Sequence, residues 1–108
     1  MMGNSLYSLS IAAQVERDLK EITFYLTELG MYQTNVDQLV NNIFDGLDQL
    51  QTHPLSGSPL ANKTIIPTEI RYLIIDEYLI FYEVVERAVN VYRILSSKQD
   101  FINILKLN

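Results

Sequence analysis

The sequence contains no cysteine, a single histidine, and only four glycines and three prolines in 108 residues. Without thiols there is no disulfide framework, no thiol catalysis and no cysteine-ligated zinc, and the chain suits a reducing compartment. One imidazole, His53, excludes any site that needs two. Long apolar runs are also lacking. No stretch approaches the roughly 18 continuous apolar residues of a membrane span, and the start, MMGNSLYSLS, has neither the basic residues nor the apolar run of a signal peptide. Positive charge is scarce: eight Lys and Arg face thirteen Asp and Glu, a formal net charge of -5. The average field therefore repels nucleic acid, and direct DNA binding is not expected. These absences together predict a soluble, cytoplasmic protein with no membrane partner.

What is present suits one domain spanning residues 1–108, long enough to bury roughly two-thirds of the surface exposed by its unfolded chain. Leu6 to Ile11 alternates weakly, as a first strand would. Ser10 is placed to cap a following helix. Ala12, Val15, Leu19, Ile22, Leu26 and Leu29 then recur at three- and four-residue steps, predicting a helix from about Ile11 to Leu29 that Gly30 would end. A second stripe (Val36, Leu39, Val40, Ile43, Phe44, Leu47, Leu50) predicts a second helix, capped by Thr34 or Asn35 and stopped at His53-Pro54. The short link between the two favours an antiparallel helical hairpin.

The segment from His53 to Lys63 reads as a loop. Strands follow near Glu69–Ile75, Tyr78–Val85 and Val89–Leu95, joined by turns at Asp76-Glu77 and Glu86-Arg87 that are short enough only for antiparallel neighbours. Phe101, Ile104 and Leu105 are spaced for a short terminal helix. The order β-α-α-β-β-β-α predicts an α+β domain, its N-terminal strand and helical hairpin packed on an antiparallel sheet.

Chemistry-bearing motifs are few. No Gly-rich phosphate loop, zinc spacing or nucleophile elbow occurs, so neither a metal nor a cofactor is expected. His53 reads as a residue at a helix C-terminus, close to free carbonyls. Glu16, Asp18, Glu21 and Glu28 read as the solvated side of the first helix, and Glu83 and Glu86 as solvated strand-end charges. Of the seven tyrosines, Tyr72, Tyr78, Tyr82 and Tyr92 fall in strands, where aromatic residues pack across neighbours. A tyrosine on an open sheet face would instead stack on a base or anchor a partner. Arg71, Arg93 and Lys98 carry the most weight. They are either edge charges that block aggregation, paired with Glu69, Glu83 or Asp100, or they converge at the sheet end on an anion or a partner.

Tyr7-Ser8-Leu9, the helix Ala13–Tyr25 and Leu50 leading to Pro54 and Gly57 occur here in a telling order. Ile70-Arg71, Tyr78-Leu79-Ile80-Phe81-Tyr82 and Arg93-Ile94-Leu95 followed by Gln99-Asp100 complete it. In that order and spacing the chain resembles the RelE/ParE superfamily of type II toxin–antitoxin toxins, known also from plasmid-stabilisation systems. The resemblance implies a bacterial, growth-inhibiting protein bound by a cognate antitoxin, which lays a helix in the hairpin groove and adds a strand to a sheet edge. RelE-like members cut mRNA on the ribosome, whereas ParE-like members poison DNA gyrase without being nucleases.

The nuclease branch carries arginine after the first aromatic of its middle strand and histidine after its last strand. Here those positions hold Leu79 and Ser96. Cleaving RNA requires a base for the 2′-hydroxyl and cations for the developing phosphate charge, and leucine supplies neither. The chain also lacks the basic pair that usually follows the histidine, having Lys98-Gln99, and its net charge is acidic where such toxins are usually basic. The ParE-like pattern therefore fits better, with Arg71, Tyr78, Arg93 and Lys98 as target-binding candidates. Two alternatives stand beside it: a metal-independent, ribosome-dependent mRNA interferase with an atypical site built from Arg71, Arg93, Lys98 and a tyrosine, and an attenuated, non-toxic relative.

Overall fold

The computed structural model describes residues 6–108; residues 1–5, part of the start read above for a signal peptide, lie outside it. The elements are β1 (Ser8–Ile11), α1 (Ala13–Glu28), α2 (Gln33–Thr52), β2 (Ser58–Pro59), a single 3-10 turn (Ala61–Lys63), β3 (Arg71–Ile75), β4 (Tyr78–Val85), β5 (Ala88–Ser96) and α3 (Phe101–Ile104). They form the predicted α+β fold. The sheet has five strands in the order β1-β5-β4-β3-β2. β3, β4 and β5 form an antiparallel meander, and β2 extends it antiparallel at one edge. At the other edge β1 pairs with β5 in parallel, so the complete sheet is mixed. No helix among the described residues is long and apolar enough to cross a membrane.

Both tight turns form where expected, and each places a non-glycine residue in the left-handed region, Asp76 at φ 54° and Glu86 at φ 55°. The helix starts differ from the sequence reading. Ser10 lies within β1, and the residue before α1 is Ala12, which makes no side-chain cap. The strand takes Ser10 because β1 must reach Ile11 to pair with Val91. Likewise α2 begins after Tyr32 with no side-chain cap, which puts Thr34 and Asn35 inside its first turn.

The helix ends follow their chemistry closely. Gly30 takes φ 87°, its N–H donates to the Thr27 carbonyl, and the Met31 N–H donates to Leu26. This is the paired-bond motif that satisfies a helix's last carbonyls. His53 closes α2 through a bond from its backbone N–H to Gln49, and Pro54 follows. The same paired-bond motif ends α3, with Lys106 in the left-handed position at φ 60° and the Leu107 N–H donating to Ile102.

Two apolar cores sandwich the sheet. On the helix side, Val15 and Leu26 of α1 and Leu39, Ile43, Leu47 and Leu50 of α2 pack on Tyr78, Ile80, Tyr82, Val89, Val91 and Ile94. α1 lies along β5, while α2 reaches from β3 to the start of β1, where Gln51 bonds to Tyr7. On the other side Leu79, Phe81 and Leu95 are covered by Leu60, Leu107 and the apolar face of α3. The left-handed turn at Lys106 is what brings Leu107 back onto this second core. Both faces of β4 are thus buried, which explains why its sequence shows no apolar–polar alternation. In β5 a bulge makes Tyr92 an extra residue, since Phe81 stands opposite Arg93 while Tyr82 stands opposite Val91.

Candidate functional site: a groove between α1 and the sheet end

Beyond Ile11 the chain leaves the sheet edge to form α1, so the second half of β5, paired with β4 on one side, has no strand on the other. Asp18 takes over that edge. Its carboxylate accepts the backbone N–H of Ile94 at 3.0 Å, the Arg93 Nε and Nη2 at 2.9 Å each, and the Gln14 amide at 3.0 Å. Every lone-pair direction of the carboxylate is used. Asp18 is 3% exposed and is the one buried charged side chain among the described residues. Reading it as part of the solvated helix face is therefore corrected. It follows Val15 by three positions and precedes Ile22 by four, which places it within the apolar stripe. The spacing carried the signal, and its charge masked it. Hydrogen bonding to Asp18 raises the Arg93 pKa against the opposing effect of burial, with the charges of Asp18 and Glu21 adding.

Next to this pair lies a groove of about 480 Å³, walled by Ile22, Tyr25, Leu26 and Leu29 of α1 and by Tyr78 and Ile94 of the sheet. A smaller recess of about 250 Å³ continues past Leu26 and Tyr78 toward Met31, Leu39 and Asp76. Tyr78 is 8% exposed and lines both. Burial, with Glu77 and Tyr25 adding, holds its phenol above the ordinary value. Tyr25 and Leu29 on the rim are more than half exposed. Lys98 stands at the open end, 3.7 Å from the Glu77 carboxylate, with both side chains well solvated. An ion pair of that kind contributes little to stability.

Arg71 lies elsewhere. At the opposite end of β3 its Nη2 donates to the carbonyls of Leu55 at 3.2 Å and Gly57 at 2.8 Å, while its Nε is buried without a partner. The Tyr82 hydroxyl completes this anchor: it donates to the Pro54 carbonyl at 2.7 Å and accepts the Gly57 N–H at 3.0 Å. A Cβ on Gly57 would come within 2.6 Å of both the Tyr72 carbonyl and that hydroxyl, so only glycine lets the loop approach so closely. Arg71 and Tyr82 together pin the 54–57 loop to the sheet.

The three cations do not converge. Arg93 closes on Asp18, Arg71 on loop carbonyls and Lys98 on Glu77. The expected partners serve elsewhere: Glu83 accepts from Tyr92 at 2.8 Å, and Asp100 caps α3. Leu79 is packed in the second core. Gln99 closes the end of β5, its side-chain oxygen accepting the Ser96 N–H at 2.8 Å. The His53 ring meets the Thr52 hydroxyl beside it, Nδ1 to Oγ1 at 2.9 Å. No three His, Asp or Glu side chains gather as metal ligands among the described residues.

The fold has a solved counterpart. A structure described as the chromosomal ParDE TA system from P. aeruginosa superposes with a TM-score of 0.69 over 86% of this chain and 98% of that one, at 17% identity. A search of curated protein sequences returns no match. The family model for the ParE toxin of the type II toxin-antitoxin system, parDE, matches residues 9–101, from β1 through the start of α3. The chain therefore belongs to the ParE toxin family of type II toxin–antitoxin systems.

Proposed function

We propose that this protein inhibits growth by binding a protein target, DNA gyrase being the candidate its family suggests, without cutting RNA, and that a cognate antitoxin neutralises it. The observation that carries this reading is how its cations are used. Stabilising the charge that develops on a phosphate takes guanidinium or ammonium groups aimed at one open point. Arg93 and Arg71 instead spend their hydrogen bonds on the protein itself, and the position after Tyr78 is a buried leucine. Lys63 lies 6.0 Å over the Tyr72 ring and Arg87 4.5 Å over the Tyr7 ring, away from the groove. The groove sets Leu26, Tyr78 and Ile94, with exposed Tyr25 and Leu29, beside the polar Glu21, Glu77, Lys98 and Gln99, an apolar centre with polar surroundings, which is the chemistry of a protein-binding surface.

Purified protein added to gyrase in a DNA-supercoiling assay, and in parallel to ribosomes programmed with mRNA, tests the reading. Inhibited supercoiling with intact mRNA is expected. Ribosome-dependent mRNA cuts that disappear in a folded Arg93→Ala variant would replace it with the interferase reading. Unimpaired growth during strong expression of folded protein would mark an attenuated relative.

A further inference from the structure

Three large apolar side chains stand in water on the connection from α2 to β3, at the Arg71 end of the sheet. Leu55 is 65% exposed, Ile65 89% and Ile66 42%. Single apolar residues at a surface are ordinary, but three on one connection, two of them adjacent, mark an interaction surface. The connection is also fastened in place. Arg71 holds the Leu55 and Gly57 carbonyls, and Tyr82 holds Pro54 and Gly57. Leu60 is fully buried and its N–H donates to the Ile70 carbonyl at 2.9 Å. The Thr64 hydroxyl donates to the Ile66 carbonyl at 2.8 Å, and the Thr68 hydroxyl accepts the Ile70 N–H at 3.1 Å. A surface ordered before binding loses less entropy when a partner covers it.

Charge selects among the partners such a surface fits. Between Asp48 and Asp76 the chain carries Lys63 and Arg71 against one carboxylate, Glu69, although its net charge is -5. Lys63 is exposed and lies over the Tyr72 ring, next to Arg71 in the chain. Neither cation joins an ion pair: those among the described residues are Lys20 with Glu16, Arg93 with Asp18 and Lys98 with Glu77. A guanidinium bonded to neutral carbonyls keeps its full charge, so this end of the sheet attracts carboxylates. Nucleic acid would still meet the negative field of the whole chain, and the exposed isoleucines offer nothing to a phosphate. We propose that this end, with Leu55, Ile65, Ile66 and Lys63 at its surface, docks on a protein that sets carboxylates beside apolar side chains. In taking the toxin's target as the owner of that surface, this rests on the function proposed above. The α1 groove then stays open while the target is held.

The test has two arms. In the first, the full chain is followed by amide NMR while two synthetic peptides with identical Leu and Ile positions, one flanked by Glu and the other by Lys, are titrated in. A single-stranded DNA oligonucleotide is the third probe. The Glu peptide should shift the resonances of Leu55, Lys63 and Ile65, and should bind about tenfold more weakly when salt is raised well past physiological strength. Lys63→Glu should abolish its advantage over the Lys peptide, whereas Lys20→Glu, the same charge change on α1, should preserve it. No binding, equal binding of both peptides, shifts confined to other residues, or larger shifts from the oligonucleotide would overturn the proposal. In the second arm, Ile65→Ser with Ile66→Ser, shown to be folded by a urea melt, should need about tenfold more protein than the parent to inhibit gyrase supercoiling. A double variant that inhibits as well as the parent loses this surface and keeps the toxin reading. A parent that leaves gyrase untouched removes gyrase as the target, and the peptide titration then decides the surface alone.

Discussion

Arg93 and Asp18, on β5 and α1, are joined by two parallel hydrogen bonds of 2.9 Å, from Nε to one carboxylate oxygen and from Nη2 to the other. This fork ties the first helix to the last strand at the point where the sheet loses its edge neighbour. Removing one partner from a buried pair leaves the other without compensation, which typically costs about 3–5 kcal/mol. Asp18→Asn should fall near the lower bound, because the Arg93 side chain keeps 26% of its exposure and water can reach it. A urea melt monitored by circular dichroism measures the loss. An unchanged midpoint would mean the pair is not structural. Toxicity of any Arg93 variant is interpretable only after the same melt.

The loop anchor gives a second prediction. Tyr82→Phe removes the hydroxyl that joins Pro54 and Gly57, leaving a buried N–H and a carbonyl unpaired at about 1–3 kcal/mol. Amide exchange should speed up locally at Gly57 before global stability is lost. Exchange that stays as slow as in the parent would show that Arg71 holds the loop alone.

Placing an arginine at position 79 should not create a nuclease here. Leu79 packs with Phe81, Leu95 and Leu107 in the second core. Leu79→Arg would place a charge with no partner among them, one of the few mechanisms that costs more than about 4 kcal/mol. The expected outcome is insoluble or unfolded protein, seen as a lost cooperative melt. A folded Leu79→Arg protein that cleaves mRNA would contradict this.

Alkaline pH should weaken the fold through two phenols. Tyr78 and Tyr92 both titrate above the ordinary 10.0, Tyr78 mainly through burial and Tyr92 through burial followed by its bond to Glu83. A group whose folded pKa is raised stabilises fully below its unfolded value, and that contribution is lost as pH climbs through the folded value. The urea midpoint should therefore hold until about pH 10 and then decline, and the decline should be smaller in Tyr92→Phe. A decline of the same size in both proteins would assign it to other groups.

Much of this architecture is written in local pattern. The two helical stripes, the left-handed Gly30, the stop at His53-Pro54 and the turns at Asp76 and Glu86 each follow from a few neighbouring residues. What escapes is decided at a distance. Ser10 is as good a cap as any serine until β5 claims it as a strand residue. The Ser58–Pro59 strand is two residues long, and its identity comes from pairing with Tyr72 and Arg71. Asp18 looks solvated because its partners lie about seventy-five positions away. The candidate site was legible only in part: Tyr78 and Lys98 border the groove, Arg93 braces it, and Arg71 serves a loop elsewhere. Glu21 and Tyr25 face it without any motif to announce them.

The bulge at Tyr92 makes β5 a splice of two half-strands. Upstream, through Val91, its register is set by β1; downstream, from Arg93, its outer edge is held by the Asp18 carboxylate. The joint falls where one keeper hands over to the other. A change of one residue in length at Tyr92 would be absorbed in the splice, leaving Val91 and Ile94 on the same face, whereas a change within either half would turn that half inside out. Tolerance to insertion or deletion in this strand should therefore be concentrated at one point, between its two masters.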